Sequence, residues 1–477
     1  MTAQFNDLAA RLWRLADVPG GGNVPPGDFT ATGPRTVLPS FFDVTGLATA
    51  SVAVATLAAA EFLAARSESR ARPVTVDSRA ACAAFAAEGL FTPVGWPRPE
   101  LWDPVAGSYQ ASDGWIRLHT NYAYHRAVVE RLLDARDRDS VRAAVRGWKA
   151  GDLETAVVDA GGCAAVMHTR ETWLASPPGA ASATAPALSV TESERPAASR
   201  LPAASSPGVA AGARPFAGIR VLDLTRVIAG PVCTKFLAAY GADVLRIDPP
   251  GFAEVAAILP TTTQGKRTTA LDLTAQAGRD RFEELVATAD VLVTGLRGDA
   301  LARLGFGDDT LRALNPALIL ASLNAYGWDG PWRDRRGFDS LVQMSCGIAA
   351  AGAAAMGQEE PFPLPVQALD HACGYLLAAA VGRALTRRLT AGGVGRVRAS
   401  LIGTANLLWS LSAPGVALAG EGLPPMPARE DFVLEDTTTA WGPARAVPVP
   451  GRITGVETNW AVGAGPLGRH HPAWAVG

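Results

Sequence analysis

Between Ile219 and Asp248 the chain reads strand, turn, helix, strand, and this run limits the possible folds more than any other feature. Ile219-Arg-Val-Leu-Asp-Leu224 is an apolar strand, the turn Ala229-Gly230-Pro231 opens a helix from Val232 to Tyr240, and Gly241 ends it. Asp243-Val-Leu-Arg-Ile-Asp248 is a second strand. Proline in the first helical turn and glycine just past the last follow the usual asymmetry of helix ends. Strand, helix and strand within about thirty residues predict a βαβ unit with a parallel strand pair. The pattern continues through strand Thr268–Leu273, a helix over Asp280–Thr288, strand Val291–Thr294 and strand Leu318–Ser322. The predicted fold class is α/β, a Rossmann-like doubly wound parallel sheet with a small α+β domain.

The 477 residues are too many for one small core, so several lobes are expected. The stretch 176–214 is rich in Pro, Ala and Ser without periodicity, and is read as a flexible linker. It divides the chain into an N-terminal extension (1–34), a first domain (35–175), the linker, a Rossmann-like domain (215–345), a small domain (346–410) and an irregular, Pro/Gly-rich tail (411–477). The first half echoes the second. Asp43-Val-Thr-Gly46 opens an apolar helix, followed by strand Val74–Asp77 and an Ala-rich helix, as Asp370 opens a helix followed by Val397-Arg-Ala-Ser and another Ala-rich helix. A weak internal duplication is expected.

Composition excludes several classes. Apolar content of 48% with 18% charged residues suits a globular protein with large buried surfaces. A net charge of −2 without a Lys/Arg block offers no face for nucleic acid. The five cysteines, Cys82, Cys163, Cys233, Cys346 and Cys373, are scattered and form no Cys-x-x-Cys pair, so neither a disulfide framework nor a zinc site is predicted. The longest apolar run, Leu47 to Ala65, contains Glu61 and is followed by Arg66; it reads as a buried or interface helix rather than a membrane span. The N-terminus has no basic segment leading into an apolar one, so a cytoplasmic, soluble protein without a membrane partner is expected.

One carboxylate stands apart. Asp370 opens the almost uninterrupted apolar helix that follows Leu364-Pro-Val-Gln-Ala-Leu. Burying an unpaired carboxylate costs several kcal/mol. A helix N-terminus offsets part of that cost and is expected to keep the group anionic. An anionic, partly desolvated carboxylate is a competent nucleophile, whereas the plain alternative is a capping Asp.

Together these residues carry a resemblance. Phe216 to Pro231, Leu237 to Gly251, Gly265-Lys-Arg-Thr-Thr-Ala-Leu-Asp-Leu273, Ala289-Asp-Val-Leu-Val-Thr with Asp299 to Phe306, Leu314-Asn-Pro-Ala-Leu-Ile-Leu-Ala-Ser, Gly337-Phe-Asp339 and Asp370-x-x-x-Gly374 occur in the order found in family III (CaiB/BaiF-type) CoA-transferases. The resemblance implies an acyl-CoA:carboxylate CoA-transferase with Asp370 as nucleophile, passing through a mixed anhydride and an aspartyl-CoA thioester. It implies no cofactor and no metal, CoA being substrate and product, with acyl-CoA and a free carboxylic acid as partners and a homodimer as the assembly. Val227 and Ala229 would lie beside the CoA nucleotide. Lys266, Arg303 and Arg336 match positions that contact CoA, while Phe338, Asp339 and Gly374 match the reaction centre. His371 neighbours the nucleophile, but adjacent helical residues point about 100° apart, so it is read as a bystander; Cys373 is read as helix packing.

Two alternatives stay open. Racemases of the family place a histidine where this chain has Phe338, and an apolar ring cannot relay protons, so an α-methylacyl-CoA racemase-like isomerase is disfavoured. A non-catalytic acyl-CoA binder is the other. A dinucleotide dehydrogenase is disfavoured because the turn Arg226-Val-Ile-Ala-Gly-Pro231 lacks Gly-x-Gly-x-x-Gly. The chain departs from the family in order: its first half, with Asp113-Gly-Trp-Ile-Arg-Leu-His119 and the helix His125–Leu133, resembles a closing half placed before the nucleotide half. Gly46 follows Asp43 at the third rather than the fourth position, so no second working site is predicted, and the family's Gly-rich lid loop is not recognisable.

Overall fold

Leucines and β-branched residues alternate along the strands of the second half, and this sorting builds the central sheet. Leu222, Leu224, Leu245, Ile247, Leu292 and Leu320 face one side, against Phe282, Leu285, Phe306 and Leu311. Val221, Val244, Val291, Val293, Ile319 and Ala321 face the other. With both faces covered by helices the central strands Arg220–Leu224, Asp243–Asp248, Val291–Thr294 and Ile319–Asn324 are mostly apolar, as a parallel sheet requires. The computed structural model describes residues 2–18, 27–192, 214–411 and 423–475.

The strands of this sheet are numbered here in chain order: β1 (Leu188–Glu192), β2 (Arg220–Leu224), β3 (Asp243–Asp248), β4 (Lys266–Ala270), β5 (Val291–Thr294), β6 (Ile319–Asn324) and β7 (Gly395–Ser400). Their spatial order is β4-β3-β2-β5-β6-β7-β1. Strands β2 to β7 are parallel, and β1 closes one edge antiparallel to β7. The order reverses between β2 and β5, which is the switch point of a doubly wound sheet and the usual place for a ligand.

Four helices matter for the site: α1 (Val44–Arg66), α2 (Ala229–Ala239), α3 (Asp339–Ser345) and α4 (Ala368–Ala391). Helix α1 is long and apolar enough by composition to cross a bilayer, yet 89% of its apolar window is buried inside the protein. It packs on α4 more extensively than any other two elements pack. Small residues permit this: a Cβ on Gly382 would stand 3.1 Å from the Ala58 Cβ. Helix α4 meets α2 just as closely, since a Cβ on Gly374 would stand 2.5 Å from the Ala229 carbonyl oxygen and 2.7 Å from the Val232 Cβ.

Several boundaries differ from the sequence expectation. Within 176–214, helix Pro177–Ser182 and strand β1 are ordered parts of the fold, because Leu188 and Val190 bury themselves at the sheet edge; the rest of the expected linker, 193–213, lies outside the described residues. Residues 346–410 form no separate small domain, since β7 is the sixth parallel strand and α4 covers the sheet. The small α+β unit lies instead in the first half. There Gly107–Gln110, Trp115–Leu118 and Ala164–Val166 form an antiparallel sheet, whose core joins Ile116, Val129, Val141 and Leu153. The expected N-terminal extension contains helix Thr2–Leu15, whose Trp13 is fully buried. The tail, expected to be irregular, contributes strands Glu435–Thr439, Gly442–Ala446 and Gly451–Ile453.

Gly374→Val should lower the unfolding free energy by about 1–3 kcal/mol through overpacking of α2 against α4. Chemical denaturation with an unchanged m-value checks this.

Candidate active site

A cleft of about 360 Å³ opens at the carboxyl ends of β2, β5, β6 and β7, lined by Thr225 to Ala229, Gly295 to Gly298, Leu323 to Ala325 and Leu401. Arg226, Arg297, Arg333, Arg335 and Arg336 also line it, against only two carboxylates, Asp334 and Asp370. Arg333 pairs with Asp334, Arg335 with Glu154 and Arg226, at 3.8 Å, with Asp248, so the positive balance suited to an anionic ligand rests on Arg297 and Arg336.

The turn after β2 is held in a costly shape. Val227, a β-branched residue, has φ +63°, in the left-handed region that such side chains avoid. Its N–H donates to Glu254 Oε2 at 3.1 Å. Glu254 is itself fixed by buried Arg246 at 3.0 Å and by the Tyr122 hydroxyl, which donates to Oε1 at 2.5 Å. The bent turn leads into α2, whose first residues have no side-chain cap. An uncapped N-terminus beside five arginines is a place for phosphate oxygens.

Asp370 is the third residue of α4 and lines the cleft. The residue before that helix, Gln367, makes no capping bond through its side chain. The cap comes from α3 instead: Asp339 Oδ2 accepts the N–H groups of Leu369 at 2.8 Å and Asp370 at 3.0 Å. Its Oδ1 accepts from Gln343 Nε2, and Gln343 Oε1 in turn accepts the Leu364 N–H at 2.8 Å. Asp339 is fully buried. A buried acceptor thus satisfies two of the helix's orphan donors and fixes where the Asp370 carboxyl points.

This arrangement corrects one expectation. The helix N-terminus was expected to keep Asp370 anionic, but burial first, then the Asp339 and Glu88 charges, hold its pKa well above the usual carboxylate range. Burial also pushes Asp339 up to about 6, against the pull of Gln343 and the two N–H donors. Two neighbouring carboxyls in a desolvated site cannot both ionise freely, so they titrate as a pair. Asp339 keeps three donors on its oxygens, which leaves the proton to Asp370 in the empty cleft.

The first half of the chain supplies the opposite wall. Tyr122, Tyr124 and His125 line the cleft. The His119 ring stacks on Phe338 with centroids 3.7 Å apart and planes 1° from parallel. His125 approaches Phe338 edge-on at 6.0 Å. Burial and the nearby Arg336 push His125 down to about 4, so it presents a neutral ring. Its Nε2 lies 3.5 Å from Cys163 Sγ.

The residues singled out in the sequence divide. Val227, Ala229, Arg336, Phe338 and Asp370 line the cleft, with Asp339 directly beneath it. Lys266 does not reach it. That ammonium is fully buried, 2.9 Å from Asp223 Oδ2 and 3.1 Å from the Pro231 carbonyl, and serves the strand–helix junction. Arg303 pairs with Asp299 on the exposed surface, and Gly374 is a helix contact rather than a pocket residue. His371 points away to Glu88, 3.0 Å from its Oε2, so no dyad with Asp370 forms. Sequence reasoning missed Tyr122, Tyr124, His125 and Glu88, because no local pattern links a residue to a site more than a hundred positions away, and it missed Glu254, 27 positions beyond Val227, because no motif marks that contact. Among the described residues no cluster suited to a metal ion occurs.

Known proteins resemble this same region. Residues 216–432 match the model of CoA-transferase family III. The acetyl-coenzyme A transferase nodX of Hypoxylon pulicicidum is 36% identical over 192 residues, covering 39% of this chain and 32% of that protein. The probable fatty acyl-CoA transferase Rv3272 of Mycobacterium tuberculosis is 35% identical over 189 residues, covering 37% and 48%. The succinate–glutarate CoA-transferase of Agrobacterium fabrum is 34% identical over 196 residues, again covering 37% and 48%. The chain spans about half or less of the length of each of these relatives. The matched stretch, residues 216–432, holds the Val227 turn, the cleft's arginines and Asp370, while Tyr122, Tyr124 and His125 lie outside it; this segment is similar to CoA-transferase family III.

Proposed function

We propose that the protein transfers CoA between carboxylic acids through a covalent thioester on Asp370. The observation that carries this reading is the placement of Asp370: its carboxyl faces an arginine-lined cleft at the sheet's switch point, on a helix end locked by Asp339. CoA carries phosphates at one end and a thioester at the other, and the cleft matches that polarity. Arg297 and Arg336 with the α2 N-terminus suit the phosphates, and Asp370 suits the thioester.

The chemistry balances without an oxidant or reductant. The Asp370 carboxylate attacks the acyl carbonyl, the carbon–sulfur bond breaks, and CoA leaves as a thiolate. The thiolate attacks the aspartyl carbonyl of the mixed anhydride and releases the original acid as its carboxylate. The acceptor carboxylate then attacks the aspartyl thioester, forming a second anhydride, and the freed thiolate completes transfer by attacking the acceptor's acyl carbon. Splitting one exchange into such steps is the advantage of covalent catalysis. A buried nucleophile also keeps water from the anhydride.

Incubation with an acyl-CoA followed by hydroxylamine should convert Asp370 to its hydroxamate, read by peptide mass spectrometry, and Asp370→Ala should abolish both the adduct and transfer. An isomerase would instead wash deuterium into the α-position of the acyl-CoA without an adduct, and a binder would do neither.

The nucleophile must shed its proton before it attacks. Because its pKa is raised, transfer should be weak at low pH and rise with pH on a limb displaced above the ordinary carboxylate range. Asp339→Asn removes the neighbouring charge and should move that limb down by about one pH unit. A pH profile of the single-turnover rate of adduct formation measures it; an unmoved limb would exclude the shared proton.

A further inference from the structure

The two long helices that pack against each other begin alike. Asp43 before α1 and Gln367 before α4 have the same backbone angles, φ −75° and ψ 64°. At both ends the first helical N–H donates two residues back, Val44 to Phe42 and Ala368 to Val366, each at 2.8 Å. The strand after each helix pairs in parallel with a strand before it: Val74–Asp77 with Phe29–Thr32, and β7 with β6. Each of these later strands runs directly into a helix, Ser78–Phe85 or Leu401–Leu411. The segments Phe29–Phe85 and Ile319–Leu411 therefore follow one plan. The matched caps place Gly46, not Asp43, opposite Asp370. Asp43 instead folds back to accept the Gly46 N–H at 2.7 Å, and its carboxylate occupies the space a side chain at 46 would need.

A larger cavity elsewhere differs from the Asp370 cleft. At about 1110 Å³ it lies beside the ends of Phe29–Thr32 and Val74–Asp77, walled by residues 431–460. Neither Asp43 nor Gly46 lines it, and its charge is opposite. Five carboxylates, Asp77 among them, line it against Arg79 and Arg452, whereas five arginines line the Asp370 cleft against two carboxylates. A polyanion such as CoA is attracted to one and repelled by the other. The first half instead serves the Asp370 cleft. Tyr122, Tyr124 and His125 wall the Asp370 cleft, and Tyr122 reaches through Glu254 to the strained Val227 of the nucleotide turn.

We infer that one chain holds one complete CoA site, assembled in cis, in which the first half supplies the wall Tyr122–His125 and Tyr122 positions the nucleotide turn. This rests on the proposed function only in taking CoA as the ligand.

Calorimetric titration of the full chain with CoA should give one site per chain. Two sites per chain would overturn the inference while leaving the transferase reading intact, and no binding would sink both. Co-expression of Asp370→Ala with the double variant Tyr122→Ala/His125→Ala, on differently tagged chains, should restore no transfer. Recovery of about a quarter of wild-type activity, the statistical yield of a site shared between two subunits, would show that the wall comes in trans. Tyr122→Phe, which removes only the bond to Glu254, should raise KM for acyl-CoA about ten-fold while kcat changes little; an unchanged KM would deny Tyr122 its positioning role. The titration uses the unaltered chain, so it decides the stoichiometry even if a variant fails to fold.

Discussion

The pair of hydrogen bonds from the start of α4 to Asp339 organises the site. An apolar helix driven into a core leaves its first N–H groups without partners, and each would cost free energy if buried unpaired. Asp339 answers two of them with one carboxylate. Hydrogen bonds to a charged acceptor are worth about 1.5–3 kcal/mol each, comparable to the several kcal/mol needed to bury that charge. Stability is therefore not what the arrangement gains. It gains a fixed position for the next carboxyl along the helix, which could not serve as its own cap and still face the cleft.

That placement needs support from outside the nucleotide half. Helix α4 can approach α1 and α2 only because Gly382 and Gly374 carry no side chain at the crossings. The same economy of volume brings the first half close enough for Glu88 to meet His371 and for Tyr122 to meet Glu254. Removing the first half would expose the face of α4 that packs on α1 and take the Tyr122 hydrogen bond from Glu254, which holds the bent Val227 turn. The strain at Val227 is thus sustained by tertiary contacts, as backbone strain at functional sites generally is.

The sequence made the central sheet legible because its signals are local. The alternation in β2, β3 and β5, the Pro231–Gly241 punctuation around α2, and the order of motifs all lie within short windows, and the βαβ reading follows from them. Strand β1 was lost in a Pro/Ala/Ser-rich stretch because only Leu188 and Val190 mark it, and they gain meaning solely from the sheet edge they cover. Asp370 stood out because a lone carboxylate heading an apolar helix is expensive. Its protonation was misjudged for the opposite reason: the helix end is local, whereas Asp339 and Glu88 arrive from elsewhere. Lys266 illustrates the same limit, since a lysine beside a nucleotide turn is as well suited to a buried Asp223 as to a phosphate, and only burial separates the two.

On the proposed function of Asp370, the two matched helix starts differ by one chemical group. A nucleophile is a single carboxylate at the third position of a helix, and glycine there removes it while the helix continues. Packing is different, because Ala58 of α1 stands 3.1 Å from where a Cβ on Gly382 of α4 would lie, and a bulkier residue there would drive the pair apart. Volume therefore constrains α1 although its third residue, Gly46, carries no carboxylate.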